Sequence, residues 1–177
     1  MFSYFYYITR SLFRKAKIRD RIPLNMKLQV LSENLQETEK IASFFVKYII
    51  DCPARGRKKG LVISLEGDLG AGKTEFVKGI GKALQVKENI FSPTYLLMKS
   101  FPLQNSCFQF LWHLDCYRLE KEEEAKVLDL EELFSDPANL IFVEWGDKIK
   151  NLLPSSCWTI HFLIKKENTR LIIFEIP

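Results

Sequence analysis

Apolar positions along the chain fall into runs and periods that mark out its elements. Lys27–Leu31 alternates in polarity, which predicts a short strand. Ser32 or Asn34 can then cap a helix, because Leu35, Ile41, Ala42, Phe45 and Ile49 recur at helical spacing. A basic loop, Asp51–Gly60, reads as a solvated face and leads into the apolar run Leu61–Leu65, a glycine turn and a helical segment reaching Leu84. Ser92-Pro93-Thr94 breaks the chain before an expected strand Tyr95–Phe101, and Phe108–Leu114 predicts another that ends at Asp115. Glu120–Asp136 is acidic and helical in pattern, with Asp129–Phe134 its clearest turn. Leu140–Val143 is a wholly apolar strand ending at Glu144. Trp158–Lys165 and Arg170–Ile176, separated by Lys166-Glu167-Asn168-Thr169, read as a closing hairpin. Helices alternate with strands early and strands pair late. The pattern predicts an α/β fold, a mixed sheet flanked by helices with a C-terminal β-hairpin.

The turn after Leu65 carries chemistry. Gly67, Asp68, Leu69, Gly70, Ala71, Gly72, Lys73 and Thr74 fit the phosphate-binding pattern GxxxxGK(S/T), placed between a strand and a helix as its mechanics require. Glycines let successive backbone N–H groups point at phosphate oxygens, and the helix N-terminus adds partial positive charge. Lys73 is placed to reach the β- and γ-phosphates, and Thr74 to put its hydroxyl on Mg²⁺. The sheet is therefore expected to be of the P-loop NTPase type.

Ligands of open α/β sheets sit outside the carboxyl ends of the strands. Two apolar strands end there in an acid, Asp115 and Glu144, so both carboxylates would face bound phosphates if the strands are neighbours. Either acid is a candidate to hold Mg²⁺, with the other orienting the attacking water. His113 would share a face with Asp115, two residues on. On its own it reads as a structural histidine, and Trp145 as a packed aromatic. His161 carries no functional signal. Ser92-Pro93-Thr94 offers two hydroxyls in a stiffened turn, a segment suited to acting as a phosphate-dependent switch.

Composition changes one part of this picture. The chain has 177 residues, a hydrophobic fraction of 47% and a formal charge of +4. That charge belongs to residues 1–25, where Arg10, Arg14, Lys15, Lys17, Arg19 and Arg21 face Asp20 alone. The remainder is close to neutral, which argues against broad nucleic-acid backbone contact by the domain. Residues 1–25 thus form a basic, aromatic N-terminal extension to a single domain spanning 26–177. Three readings of it compete: a mis-assigned start with Met26 as the true beginning, a transit peptide, or a basic arm touching RNA or a membrane surface. Cys52, Cys107, Cys116 and Cys157 have neither zinc-site nor disulfide-framework spacing, and reduced thiols in a cytoplasmic protein are expected. No run approaches a membrane span and no secretory signal is visible. Neither a membrane nor DNA is expected as a partner.

Taken in order, Glu66-Gly67-Asp68-Leu69-Gly70-Ala71-Gly72-Lys73-Thr74, then Ser92-Pro93-Thr94-Tyr95, then His113-x-Asp115-x-Tyr117-Arg118, then Glu144-Trp145 resemble the bacterial TsaE family. This is the small ATPase of the machinery that installs threonylcarbamoyladenosine in tRNA. The resemblance runs from about Met26 to the C-terminus. It implies ATP and Mg²⁺ binding, with Thr74 and Glu144 as metal ligands, Lys73 on the phosphates and Asp115 needed for hydrolysis. It also implies a nucleotide contact from Thr38, on a shorter and looser match. The implied partners are the TsaD and TsaB proteins, reset between turnovers by ATP binding and hydrolysis, and tRNA indirectly through them. Gly146 departs from the proline that usually follows Glu-Trp, and Ala42 from a frequent glycine; neither removes a proposed ligand.

Rival functions are a small-molecule kinase, a nucleotide-gated interaction module with incidental hydrolysis, and an RNA-binding module acting through the basic arm. The kinase lacks arginines in the one segment that would serve as a lid, Leu119–Asp136. No NKxD motif supports a GTPase. Arg118 is the candidate to supply a finger-like charge in cis, or else a partner for the acidic helix.

Overall fold

The computed structural model describes residues 5–7, 26–51, 58–104 and 106–177. Most of the N-terminal extension and residues 52–57 of the basic loop lie outside the described residues. Within them, β1 (Phe5–Tyr7), β2 (Met26–Ser32), β3 (Leu61–Gly67), β4 (Met98–Pro102), β5 (Phe110–Asp115), β6 (Asn139–Glu144), β7 (Trp158–Lys166) and β8 (Thr169–Ile176) form one sheet in the order β1-β2-β8-β7-β3-β6-β5-β4. The inner strands β7, β3, β6 and β5 run parallel, while β8 and β4 pair antiparallel to their neighbours. The mixed sheet and C-terminal hairpin are those the hydrophobic pattern predicts.

Alternation along the parallel strands builds a core on each face, as expected for a sheet covered on both sides. Leu61, Ile63 and Leu65 of β3, with Leu140 and Phe142 of β6, meet α1 (Leu35–Asp51) and α2 (Lys73–Ala83). Phenylalanines knit that core: Phe45 lies 5.0 Å from Phe174 and Phe76 5.5 Å from Phe162, centroid to centroid. Val62, Ile141 and Val143 face the other way, onto Leu133 and Phe134 of the short α3 (Leu130–Ser135).

Several predicted boundaries move. Asn34, not Ser32, caps α1: its Oδ1 accepts the Glu37 N–H at 3.0 Å, while Glu37 accepts the Glu33 N–H at 2.9 Å. The strand expected from Tyr95 starts only at Met98, because Pro93 C=O accepts the Leu96 N–H and Leu97 takes a left-handed φ of 62°. Tyr95 and Leu96 are left exposed. Strand β5 likewise starts at Phe110 rather than Phe108. The acidic segment divides into a 3₁₀ turn, Glu122–Leu128, and α3, broken at Asp129 with φ 46°.

Candidate functional site

The phosphate loop is shaped by what surrounds Gly67. At φ 138° it runs so close to β7 that a Cβ would sit 2.4 Å from the Phe162 carbonyl oxygen, so only glycine fits. Gly72, at φ 103°, precedes α2, and no side chain caps that helix. A Cβ built at Gly70 or Gly72 would meet nothing within 4 Å. Uncapped helix amides beside open space are a cradle for an oxyanion.

Lys73 does not point into that space. Its Nζ donates to the Gly67 carbonyl at 2.6 Å and the Asp68 carbonyl at 2.9 Å, and lies 3.9 Å from the centroid of the Trp145 ring. Burial pushes its pKa down, against the pull of Glu144, Asp115, Asp147 and Asp68. Trp145 is held in the left-handed region, φ 59°, with its N–H on the Leu65 carbonyl at 3.0 Å. It is the packed aromatic the sequence suggested, set against the second core and Tyr117, and its ring also faces Lys73 beside the loop.

Register unites the two strand-end acids. Strands β5 and β6 pair with Asp115 opposite Glu144, and β3 lies next to β6. Thr74 Oγ1 donates to Glu144 Oε2 at 3.0 Å, and His113 Nε2 lies 2.8 Å from Glu144 Oε1. Asp115 is 2% exposed and Glu144 3%. Neither is the solvated strand terminus that an isolated acid would suggest. Both oxygens of Asp115 are taken: the Tyr117 N–H donates to Oδ1 at 3.0 Å, and the hydroxyls of Ser92 and Thr94 both reach Oδ2, Thr94 at 2.5 Å. The Ser-Pro-Thr turn, expected only to act as a phosphate-dependent switch, is thus tied directly to Asp115.

A hydroxyl and a carboxylate beside the cradle suit a hard cation such as Mg²⁺, which takes few protein ligands and fills the rest of its shell with phosphate and water. Thr74 and Glu144 are the residues that would hold it.

Thr38 is buried in the first turn of α1, with its hydroxyl 2.7 Å from that of Ser32. Arg118 stacks on Tyr95, 4.2 Å from the ring centroid, instead of joining the acidic helix. His161 has partners after all: Nδ1 lies 3.3 Å from Glu66 and Nε2 3.5 Å from Glu175. Arg170 is the residue that sequence reasoning missed. The hairpin carbonyls of Lys166, Glu167 and Thr169 hold its Nη1, leaving Nη2 to donate to the Gly70 carbonyl at 3.2 Å. No local spacing links a hairpin residue to a loop so far away in sequence. The strand order does, since β7 lies beside β3.

Gly146 also acquires a reason. A Cβ there would fall 2.2 Å from Ser64 Oγ, so a proline at 146 would require Ser64 to move.

The sequence model of the family "Threonylcarbamoyl adenosine biosynthesis protein TsaE" matches residues 32–172. A tRNA threonylcarbamoyladenosine biosynthesis protein TsaE from Rickettsia felis is 34% identical over 143 residues, covering 80% of this chain and 76% of the relative. The protein of the same name from Bacillus subtilis is 37% identical over 121 residues, covering 68% of each chain. The crystal structure of Bacillus subtilis YdiB superposes with a TM-score of 0.64 at 29% identity, covering 88% of both chains. The phosphate loop, the Ser-Pro-Thr turn, both strand-end acids and Arg170 all fall within the matched span. This chain belongs to the TsaE family of threonylcarbamoyl adenosine biosynthesis proteins, a P-loop-like nucleotide-binding family with a role in tRNA modification.

Proposed function

We propose that this chain is a Mg²⁺-dependent ATPase whose turnover resets a TsaD–TsaB complex during threonylcarbamoyladenosine formation on tRNA. The observation that carries the reading is the convergence of Thr74, Glu144 and Asp115 beside an open, uncapped phosphate loop. Residues 26–177 form the ATPase domain, and residues 1–25 are an N-terminal extension whose β1 adds to the edge of the same sheet.

In this reading the loop amides bind the β-phosphate, and Lys73 leaves the Gly67 and Asp68 carbonyls for the β- and γ-oxygens. Mg²⁺, held by Thr74 and Glu144, would neutralise charge on the same oxygens. Asp115 orients a water for attack on the γ-phosphorus and accepts its proton as the bond from that phosphorus to the bridging oxygen breaks and ADP leaves. For Asp115 to do so, Ser92 and Thr94 must give up its Oδ2. Arg170 adds a guanidinium to the rim of the loop. Thr38, in the first turn of α1, contributes to the nucleotide pocket.

The test is ATP hydrolysis by this chain with Mg²⁺, alone and with a purified TsaD and TsaB pair. Slow turnover alone and strong stimulation by the pair are expected. Asp115→Ala should still bind ATP but lose hydrolysis by about 10²- to 10⁴-fold, the usual contribution of a positioned acid–base group. Undiminished hydrolysis by that variant would remove Asp115 from the mechanism, and nucleotide binding without stimulation would favour an interaction module.

A further inference from the structure

We propose that His113 is a positioning residue, whose one polar task is to hold the Glu144 carboxylate so that its second oxygen is free for Thr74 and the cation. This rests on the nucleotide reading above and adds a residue to the same site. The imidazole is completely buried, yet only Nε2 has a partner, Glu144 Oε1 at 2.8 Å. Nδ1 is buried with none. Most buried side-chain nitrogens in folded proteins find a partner, because an unpaired one loses its water for nothing in return. This one leaves Nδ1 unsatisfied and directs the other nitrogen at a single carboxylate oxygen.

The backbone makes that aim rigid. Strand β5 lies between β4 and β6, and His113 is paired with Lys99 on one side and Phe142 on the other. Its Cβ cannot shift without breaking two ladders. The contact runs diagonally from His113 to Glu144, so the same register that faces Asp115 with Glu144 also delivers the imidazole. Thr74 takes Oε2 and His113 takes Oε1, so the carboxylate is held at both ends. Groups that fix a ligand's orientation in this way typically contribute about 10- to 100-fold to metal affinity.

The experiment titrates the full chain with a fluorescent ADP analogue, with and without Mg²⁺, and reads the gain in affinity that the ion supplies. His113→Leu fills the volume without a donor, and should lower that gain by about 10- to 100-fold while leaving Mg²⁺-free binding unchanged. The amide nitrogen of glutamine falls where Nε2 lies and that of asparagine nearer Nδ1, so His113→Gln should restore the gain and His113→Asn should not. This pair keeps the test decisive if the leucine variant does not fold. Equal gains in the two amide variants, or a parallel loss of affinity with and without Mg²⁺ in the leucine variant, would overturn the assignment. If the unmodified chain shows no gain from Mg²⁺, the nucleotide reading itself fails and takes this role with it. A gain in the unmodified chain that survives in His113→Asn sinks the His113 role alone.

Discussion

Lys73 and His161 show how the fold treats two charges near the same loop. Lys73 is lined by carbonyls and an indole face, so burial dominates and its pKa falls. His161 sits between two carboxylates, and the hydrogen bond to Glu66 lifts its pKa above the ordinary 6.5 despite partial burial. Glu66 responds in kind: His161 holds its carboxyl below 4.5. Lys27 extends the chain of charge through Glu175, at 2.5 Å. The raised histidine contributes stability in full below about 6.5, its unfolded value, and loses it as pH rises through its folded pKa. The depressed Glu66 contributes above about 4.5 and loses its share as pH falls. His161→Gln should therefore destabilise the chain near pH 6 by no more than about 1 kcal/mol, given the solvent exposure of the pair. By pH 9 the difference from the unmodified chain should shrink. Urea unfolding at the two pH values checks it, and an equal loss at both would mean that packing, not charge, is what His161 supplies.

At the level of elements, helices α1 and α2 owe their close approach to small residues. A Cβ at Gly79 would lie 2.8 Å from the Ala42 Cβ and 3.1 Å from the Glu39 Cα. Gly79→Ala should gain about 1 kcal/mol of helix propensity and lose about 1–3 kcal/mol to overpacking, so a net destabilisation of up to about 2 kcal/mol is expected in urea unfolding. Adding Ala42→Gly should relieve part of it, and simple additivity of the two changes would disprove the contact. At this crossing one Cβ, that of Ala42, fits between the helices, and two do not. Elements with a strong period or a wholly apolar run, such as α1, β3, β6 and the hairpin, were legible in the sequence. Tyr95 and Leu96 were not, since aromatic and aliphatic composition says strand while a hydrogen bond back to Pro93 makes a turn. The same contrast governs the site. The phosphate loop is contiguous and so readable, whereas the contacts of His113 and Arg170 depend on which strands are neighbours. The acidic segment departs from the behaviour of a kinase lid as well as from its composition. Glu122 is tied to the backbone and side chain of Asn151 at 2.8 and 2.9 Å, and Lys148 donates to the Leu119 carbonyl at 2.9 Å.

Across the whole molecule, the phosphate loop and the N-terminal strand lie far apart in the sheet. Three strands, β2, β8 and β7, separate β1 from β3. Removing residues 1–25 should leave affinity for ADP unchanged in the same fluorescence titration, and a clear loss would mean that the arm reaches the site. The opposite holds for β8. It is the last strand in chain order, yet it lies between β2, among the first, and β7, and it carries Arg170 to the loop. Pairings that span nearly the whole sequence are slow to form, because their loop-closure entropy is lost before any contact repays it. On the ribosome, β2 must wait for residues 169–176 before it can join the sheet. A nascent chain halted between Leu84 and Arg170 would hold a complete phosphate-loop sequence while β2 still lacked its β8 partner. In a growing polypeptide, the sheet that carries the phosphate loop would therefore close late, with the synthesis of the β7–β8 hairpin.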